Sequence, residues 1–243
     1  TCDWSSDVCS SDLQSLVIPE SLRSAEGLSL YANLYAENDD KIRVDVMAPH
    51  TIPEGAAIVT NHVNRGTTTG GVVNGSQTHR WDLFAQLPDT QEWIEMVSTH
   101  LVANAGIHKY GTAVMGTDGF TGYRQTTYDC YFRYTANRTL NFNGRVAMLL
   151  GDIDGFAGNK ESITVTNVYA YNLLNSDVTA ERNADGSVTF TGSGIPRPDS
   201  SAPLLTAPIS SVLVVVSGSF RLTHRAYVSP ENTQERLYLV APT

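Results

Sequence analysis

The dominant pattern along the chain is alternation of apolar and polar residues with period two, the mark of half-buried strands. Leu28, Leu30, Ala32 and Leu34 share one face, and Ile42, Val44 and Val46 share another, with Asn38-Asp39-Asp40 between them as hairpin chemistry. Ala56–Thr60 follows Pro53-Glu54-Gly55 as a short apolar strand. Tyr128–Tyr134 is aromatic and β-prone, and Asn143-Gly144 supplies a turn before Arg145–Leu150. Ser162–Tyr171 alternates as one strand, Asp185-Gly186 precedes Ser187–Thr191, and Val212–Val216, Ser219–Val228 and Arg236–Val240 close the chain. Short strands punctuated by Gly, Asn and Pro predict an all-β fold, an antiparallel β sandwich of jelly-roll type.

One segment reads differently. Asp89 has the character of an N-cap with Glu92 at N3, a capping box. Trp93, Val97 and Leu101 follow at helical spacing and Asn104-Ala105-Gly106 ends the run, so one helix is predicted over residues 89–103. Asn64–Gln77 and Gly192–Pro208 read as loops. The second holds four prolines and is a candidate sub-boundary, at 192–208, within a domain spanning 14–243.

The first thirteen residues stand apart. Ser-Ser-Asp occurs twice in Thr1–Leu13, with no periodicity and no caps. Cys2–Leu13 reverse-translates without mismatch into a DNA string that resembles a common short-read sequencing adapter, so residues 1–13 are expected to be an artefact without regular structure. Setting them aside leaves Cys130 as the lone cysteine, which excludes a disulfide framework within the remainder. The formal charge falls from −9 to −6, because three aspartates go with the segment. An acidic balance gives no nucleic-acid footprint. Purely apolar runs such as Val212–Val216 are far short of the roughly 20 residues of a membrane helix. At 243 residues with 41% apolar composition, the chain is long enough for one large β domain.

Candidate chemistry is sparse. The six histidines form no compact metal motif with one another or with cysteine. There is no Gly-x-Ser-x-Gly elbow, phosphate loop or Rossmann glycine pattern, and no carboxylate pair is marked out for glycoside hydrolysis, so the expectation is a protein that is not an enzyme. Asp152-Ile153-Asp154, followed by Gly155 and Gly158, is the acidic cluster of most interest. Carboxylates at i and i+2 in a glycine-bearing loop suit a hard cation, which makes Asp152 and Asp154 candidate calcium ligands. The tract holding Tyr110, Phe120, Tyr123, Tyr128, Tyr131, Phe132 and Tyr134 offers core packing, a subunit contact or a sugar-stacking platform.

Two resemblances follow from these residues. Tyr128–Tyr134, then Gly144-Arg-Val-Ala-Met148 and Asp152-Ile-Asp154, with Phe84–Pro88 upstream and Ser219–Pro230 downstream, resemble the shell domain of tombusvirus-like coat proteins. That resemblance implies a virion structural protein that self-associates into a shell. It also implies that the Asp152/Asp154 loop is an incomplete, exposed calcium site finished by a neighbouring copy. Ile163–Val168 and Asn183–Phe190 are similar to strands of carbohydrate-binding sandwich modules and phage tail adhesins. That alternative implies a secreted or extracellular module with glycans as partners. Both readings share the fold and differ in partner: copies of itself in the first, glycans in the second, and neither nucleic acid nor membrane.

Overall fold

A computed structural model describes residues 33–35, 43–45, 54–59, 72–73, 77–100, 105–108, 111–116, 118–173, 177–195 and 210–240. The strands in chain order are β1 (Asn33–Tyr35), β2 (Arg43–Asp45), β3 (Ala57–Val59), β4 (Val72–Val73), β5 (Gln77–Gln86), β6 (Trp93–His100) and β7 (Ala105–His108). They continue as β8 (Gly111–Met115), β9 (Gly122–Tyr134), β10 (Asn141–Phe142), β11 (Arg145–Gly151), β12 (Gly155–Phe156) and β13 (Asn159–Lys160). The last seven are β14 (Ser162–Val165), β15 (Val168–Asn172), β16 (Thr179–Arg182), β17 (Val188–Thr191), β18 (Val212–Ser217), β19 (Phe220–Val228) and β20 (Gln234–Val240). The expected artefact at 1–13, the segment 196–208 and residues 101–103 lie outside the described residues.

The chain is an all-β antiparallel sandwich. One layer runs β16-β17-β14-β19-β9-β6-β5. The other is built on β11, which pairs β18 along one edge and is shared along the other edge by β3 and β20; β18 continues to β15, and β20 to β8. The β3–β11 pair is parallel, while β3 meets β5 antiparallel and so joins the two layers. Long-range pairs such as β9–β19 and β14–β19 make the crossed connections typical of Greek-key sandwiches.

Period-two alternation accounts for the packing. In β9 and β19 every second residue is buried, so Tyr128, Cys130 and Phe132 face inward beside Phe220 and Leu222. They meet Val146, Met148 and Leu150 of β11 and Val212, Val214 and Val216 of β18 in one core. Phe84, Phe132 and Phe220 form a row with centroids 6.2 and 5.7 Å apart, each pair contributing about 0.5–1.5 kcal/mol beyond area burial. The apolar runs of β11 and β18 also fill a smaller cluster on their other face, with Ala147, Leu149, Leu213 and Val215. Burial likewise pushes the Cys130 thiol pKa up, which keeps it a packing residue.

The predicted helix at 89–103 is corrected. Pro88–Thr90 is a turn and Trp93–His100 is β6, an antiparallel partner of both β5 and β9. The capping-box residues instead close a hairpin. Leu87 N–H donates to Glu92 O at 2.9 Å, Gln91 N–H donates to Leu87 O at 2.9 Å, and Gln91 has φ +60°. Thr90 and Glu92 side chains bond each other within that turn at 3.1 Å. The competing period won because Ile94, Met96, Ser98 and His100 line up inward at spacing two, opposite the long aromatic strand β9. Ser162–Tyr171 is likewise two strands rather than one. The chain turns at Asn167, with φ +55°, and passes from β14 in one layer to β15 in the other.

Candidate functional site: a buried carboxylate centre

Three carboxylates converge from separate parts of the chain. Asp154 follows the end of β11, Glu161 precedes β14, and Glu235 lies on β20. One ligand atom of each lies within 4.8 Å of the other two. Asp154 is 5% exposed and Glu161 is 0% exposed. The backbone holds them there: Asp154 N–H donates to Glu161 Oε2 at 3.2 Å, Gly192 N–H donates to Glu161 O at 3.0 Å, and Gly194 N–H donates to Asp154 O at 2.7 Å. Gly192 has to be glycine, because a Cβ there would lie 2.5 Å from Ile153 O and 2.7 Å from Asp154 O.

His224 of β19 completes the centre. Its Nε2 contacts Glu161 Oε1, and both residues are wholly buried. Asn232 Nδ2 donates to Glu235 Oε1. Burial, reinforced by the charges of Glu161 and Asp154, pushes the Glu235 pKa up to about 8. Burial and then Asp154 raise Glu161 well above the ordinary carboxylate range. Burial lowers His224 to about 4. The contact geometry alone would allow an ion pair between Glu161 and His224. The two shifts, both caused by loss of water, favour a neutral pair joined by one proton instead.

Asp154 and Glu235 open onto a cavity of about 320 Å³, whose rim includes Asp152, Asn232, Gln234 and Arg236. Of the two aspartates singled out in the sequence, Asp154 therefore sits in the centre and Asp152, with φ +69°, sits on the rim. The coat-like resemblance implied an exposed, incomplete site finished by a neighbour. In the observed centre Asp154 and Glu161 are buried and Glu235 is half-buried, and the three carboxylates converge from separate parts of one chain. The donor set is oxygen-only apart from His224, which fits a hard cation of the calcium type. Such an ion would displace the protons that otherwise hold the charges apart.

Glu161, His224 and Glu235 were not picked out by motif. Their signal is parity: Glu161 shares the inward face with Ile163 and Val165, His224 with Leu222 and Ala226, and Glu235 with Leu237 and Leu239. A second polar group breaks the core by the same rule. His100 is wholly buried, 5.0 Å from the His79 ring and edge-on to Tyr128 at 4.3 Å. Burial and then the His79 charge lower its pKa to about 4, so it is neutral at physiological pH.

No family model matches the chain, and no curated protein matches it. Among solved structures it is similar to the N-terminal domain of the Streptococcus gordonii adhesin Sgo0707, with TM-score 0.46 and 10% identity over 89% of this chain. The chain spans 64% of that structure's length. It is also similar to the adhesin domain of PrgB from Enterococcus faecalis, with TM-score 0.42 and 11% identity, covering 75% of this chain and 72% of that one.

Proposed function

We propose that this chain is a non-enzymatic β-sandwich binding module of the adhesin kind, locked by calcium and working outside the cell. The observation that carries the reading is the buried carboxylate centre of Asp154, Glu161 and Glu235. A divalent cation there would tie the segment after β11 and the segment before β14 to β20, cross-linking the two layers at one end. Asn232 and Asp152 would add oxygen ligands from the rim, with water from the cavity. Because calcium has to displace the proton held up to about pH 8 on Glu235, its affinity falls as the pH drops below that value. Oxygen-ligand sites of this modular kind work at the millimolar calcium of extracellular fluids.

A rival reading is less well supported by the same geometry. A shell-forming coat protein called for a calcium site shared between copies, whereas these carboxylates meet within one chain.

Thermal denaturation in EDTA and in millimolar calcium tests the proposal. Calcium is expected to raise the Tm of the wild type and to have no effect on the double variant Asp154→Asn, Glu235→Gln. An equal calcium shift in both proteins, or none in either, refutes the metal. Light scattering of the same samples should report a monomer, and large uniform particles would return the coat reading to first place.

A further inference from the structure

We propose that the step in the first layer beside Tyr131 is a binding groove for a neutral saccharide. The step arises from the register. Strand β19 begins opposite Cys130, and β10 begins opposite Phe132, so on that edge of β9 Tyr131 has no partner strand. The other edge is occupied by Val97 of β6. The result is an open groove of about 450 Å³ with Tyr131 as its wall. The Cys130 and Phe220 positions form its floor, and Thr99, Asp129, Asn167 and Arg221 surround it.

The rim is rigid. Arg221 N–H donates to Thr166 Oγ1 at 2.7 Å, and Thr166 N–H donates to Arg221 O at 3.0 Å. Asn167 is held in its left-handed turn, donates from Nδ2 to Ser219 O at 2.5 Å, and accepts from Ser217 N–H at 3.0 Å. Binding to such a rim orders little that is not already ordered.

The ligand class follows from charge and shape. The charged side chains on the groove are Asp129 and Arg221, and they pair through two bonds, 2.7 Å from Nε and 3.0 Å from a terminal nitrogen. Arg221 holds the Asp129 carboxyl below its usual pKa, so the pair stays ionised and the groove carries no net charge. A net-neutral groove favours a ligand without charge. Adjacent hydroxyls suit it, because the Asp129 oxygens keep acceptor capacity and the Arg221 guanidinium and Asn167 amide keep donors beyond those given to Asp129 and Ser219. Tyr131 adds a flat apolar wall with a polar tip, which suits the C–H face of a sugar ring. Arg133 lies over one face of that ring at the outer limit of a cation–π contact, Cζ 6.0 Å from the centroid, with its Nε engaged by Glu95. The inference rests on the chain being a binding module, and it places the ligand site away from the carboxylate centre.

Native affinity electrophoresis of the full chain, in gels containing a soluble β-glucan, a galactomannan or the polyanion alginate, tests this. At least one of the two neutral polysaccharides should retard the wild type, and alginate should not. Tyr131→Ala should weaken the retardation about tenfold, Asp129→Ala should do the same, and Tyr169→Ala should leave it unchanged. The groove is refuted if neither neutral polysaccharide retards the wild type, if Tyr131→Ala migrates like the wild type, or if alginate alone is bound. The calcium shift in Tm, measured on the same samples, separates the two ideas. A normal calcium shift without sugar binding sinks the groove alone, and sugar binding without a calcium shift sinks only the calcium lock.

Discussion

Raising the pH in the absence of calcium should destabilise this protein, and the reason lies in Glu235. In the folded chain its carboxyl keeps a proton up to about pH 8, whereas the ordinary value is 4.5. The folded state therefore binds the extra proton between those values. The group's contribution to stability is complete below 4.5 and is lost as the pH rises through 8. At about 1.36 kcal/mol per pH unit, moving from about pH 6.5 to about pH 9 removes about 2 kcal/mol. Glu161 is shifted in the same direction by its burial. His224 has the opposite sign: its folded value of about 4 lies below 6.5, so its contribution is present above 6.5 and fades only as the pH falls toward 4. It is nearly constant across the alkaline window and does not mask the effect. In a domain of this size 1 kcal/mol moves Tm by about 2–4 °C, so the expected fall in EDTA is about 4–8 °C. Scanning calorimetry at the two pH values reads it directly. Glu235→Gln, which keeps the shape and removes the titration, should flatten the profile. Calcium should flatten it too, by replacing the departing protons with a cation. A wild-type Tm that holds steady or rises toward pH 9 in EDTA refutes the reasoning, as does an unchanged fall in Glu235→Gln.

Two other substitutions probe the supports of the fold. Glu95 is wholly buried on β6 and is met by Arg133, by Arg80 at 3.1 Å and by Arg138 at 3.5 Å. Glu95→Gln should cost about 2 kcal/mol in urea denaturation, trimmed by the water the guanidiniums retain; a midpoint within error of the wild type would show that the cluster adds nothing net. Gly192→Ala drives a methyl into the carbonyls of Ile153 and Asp154, so it should cost about 1–3 kcal/mol and blunt the calcium response, and an unaffected calcium shift would mean the carboxylate centre tolerates movement of the Asp154 loop.

The strands were legible wherever packing and local pattern agree. Asn143-Gly144 does turn the chain between β10 and β11, and Asp185-Gly186 does close the β16–β17 hairpin, with Gly186 at φ +84° and Ser187 N–H donating to Asp185 Oδ1 at 3.0 Å. The pattern failed where two periods were superimposed. Trp93, Val97 and Leu101 sit four apart, yet Ile94 and Met96 alternate between them, and a local capping signal cannot weigh a strand partner such as β9 that lies further along the chain. It failed again at Asn167, because alternation continues on paper through a turn that carries the chain from one layer to the other.

The carboxylate centre was half legible, for a reason that extends beyond it. A motif search finds residues close in sequence, and so it found Asp152 and Asp154 but not the partners some seven and eighty residues further along. Parity finds residues that share a face, whatever their separation. Applied strictly, it places Glu161, His224 and Glu235 on inward positions, together with Ser98, His100 and Thr126. A polar side chain at an inward position has to be paired, protonated or bound to an ion, because water is no longer there to solvate it. Each is therefore a prompt to ask what compensates it. On β6 the compensation is local at Ser98, which accepts from Trp81 Nε1 at 2.9 Å. At Asp154, Glu161 and Glu235 three carboxylates converge beside the His224 imidazole and the Asn232 amide, and burial holds protons on Glu161 and Glu235 well above the ordinary carboxylate range. Under the proposed calcium lock, proton occupancy and cation occupancy are alternatives at this single place.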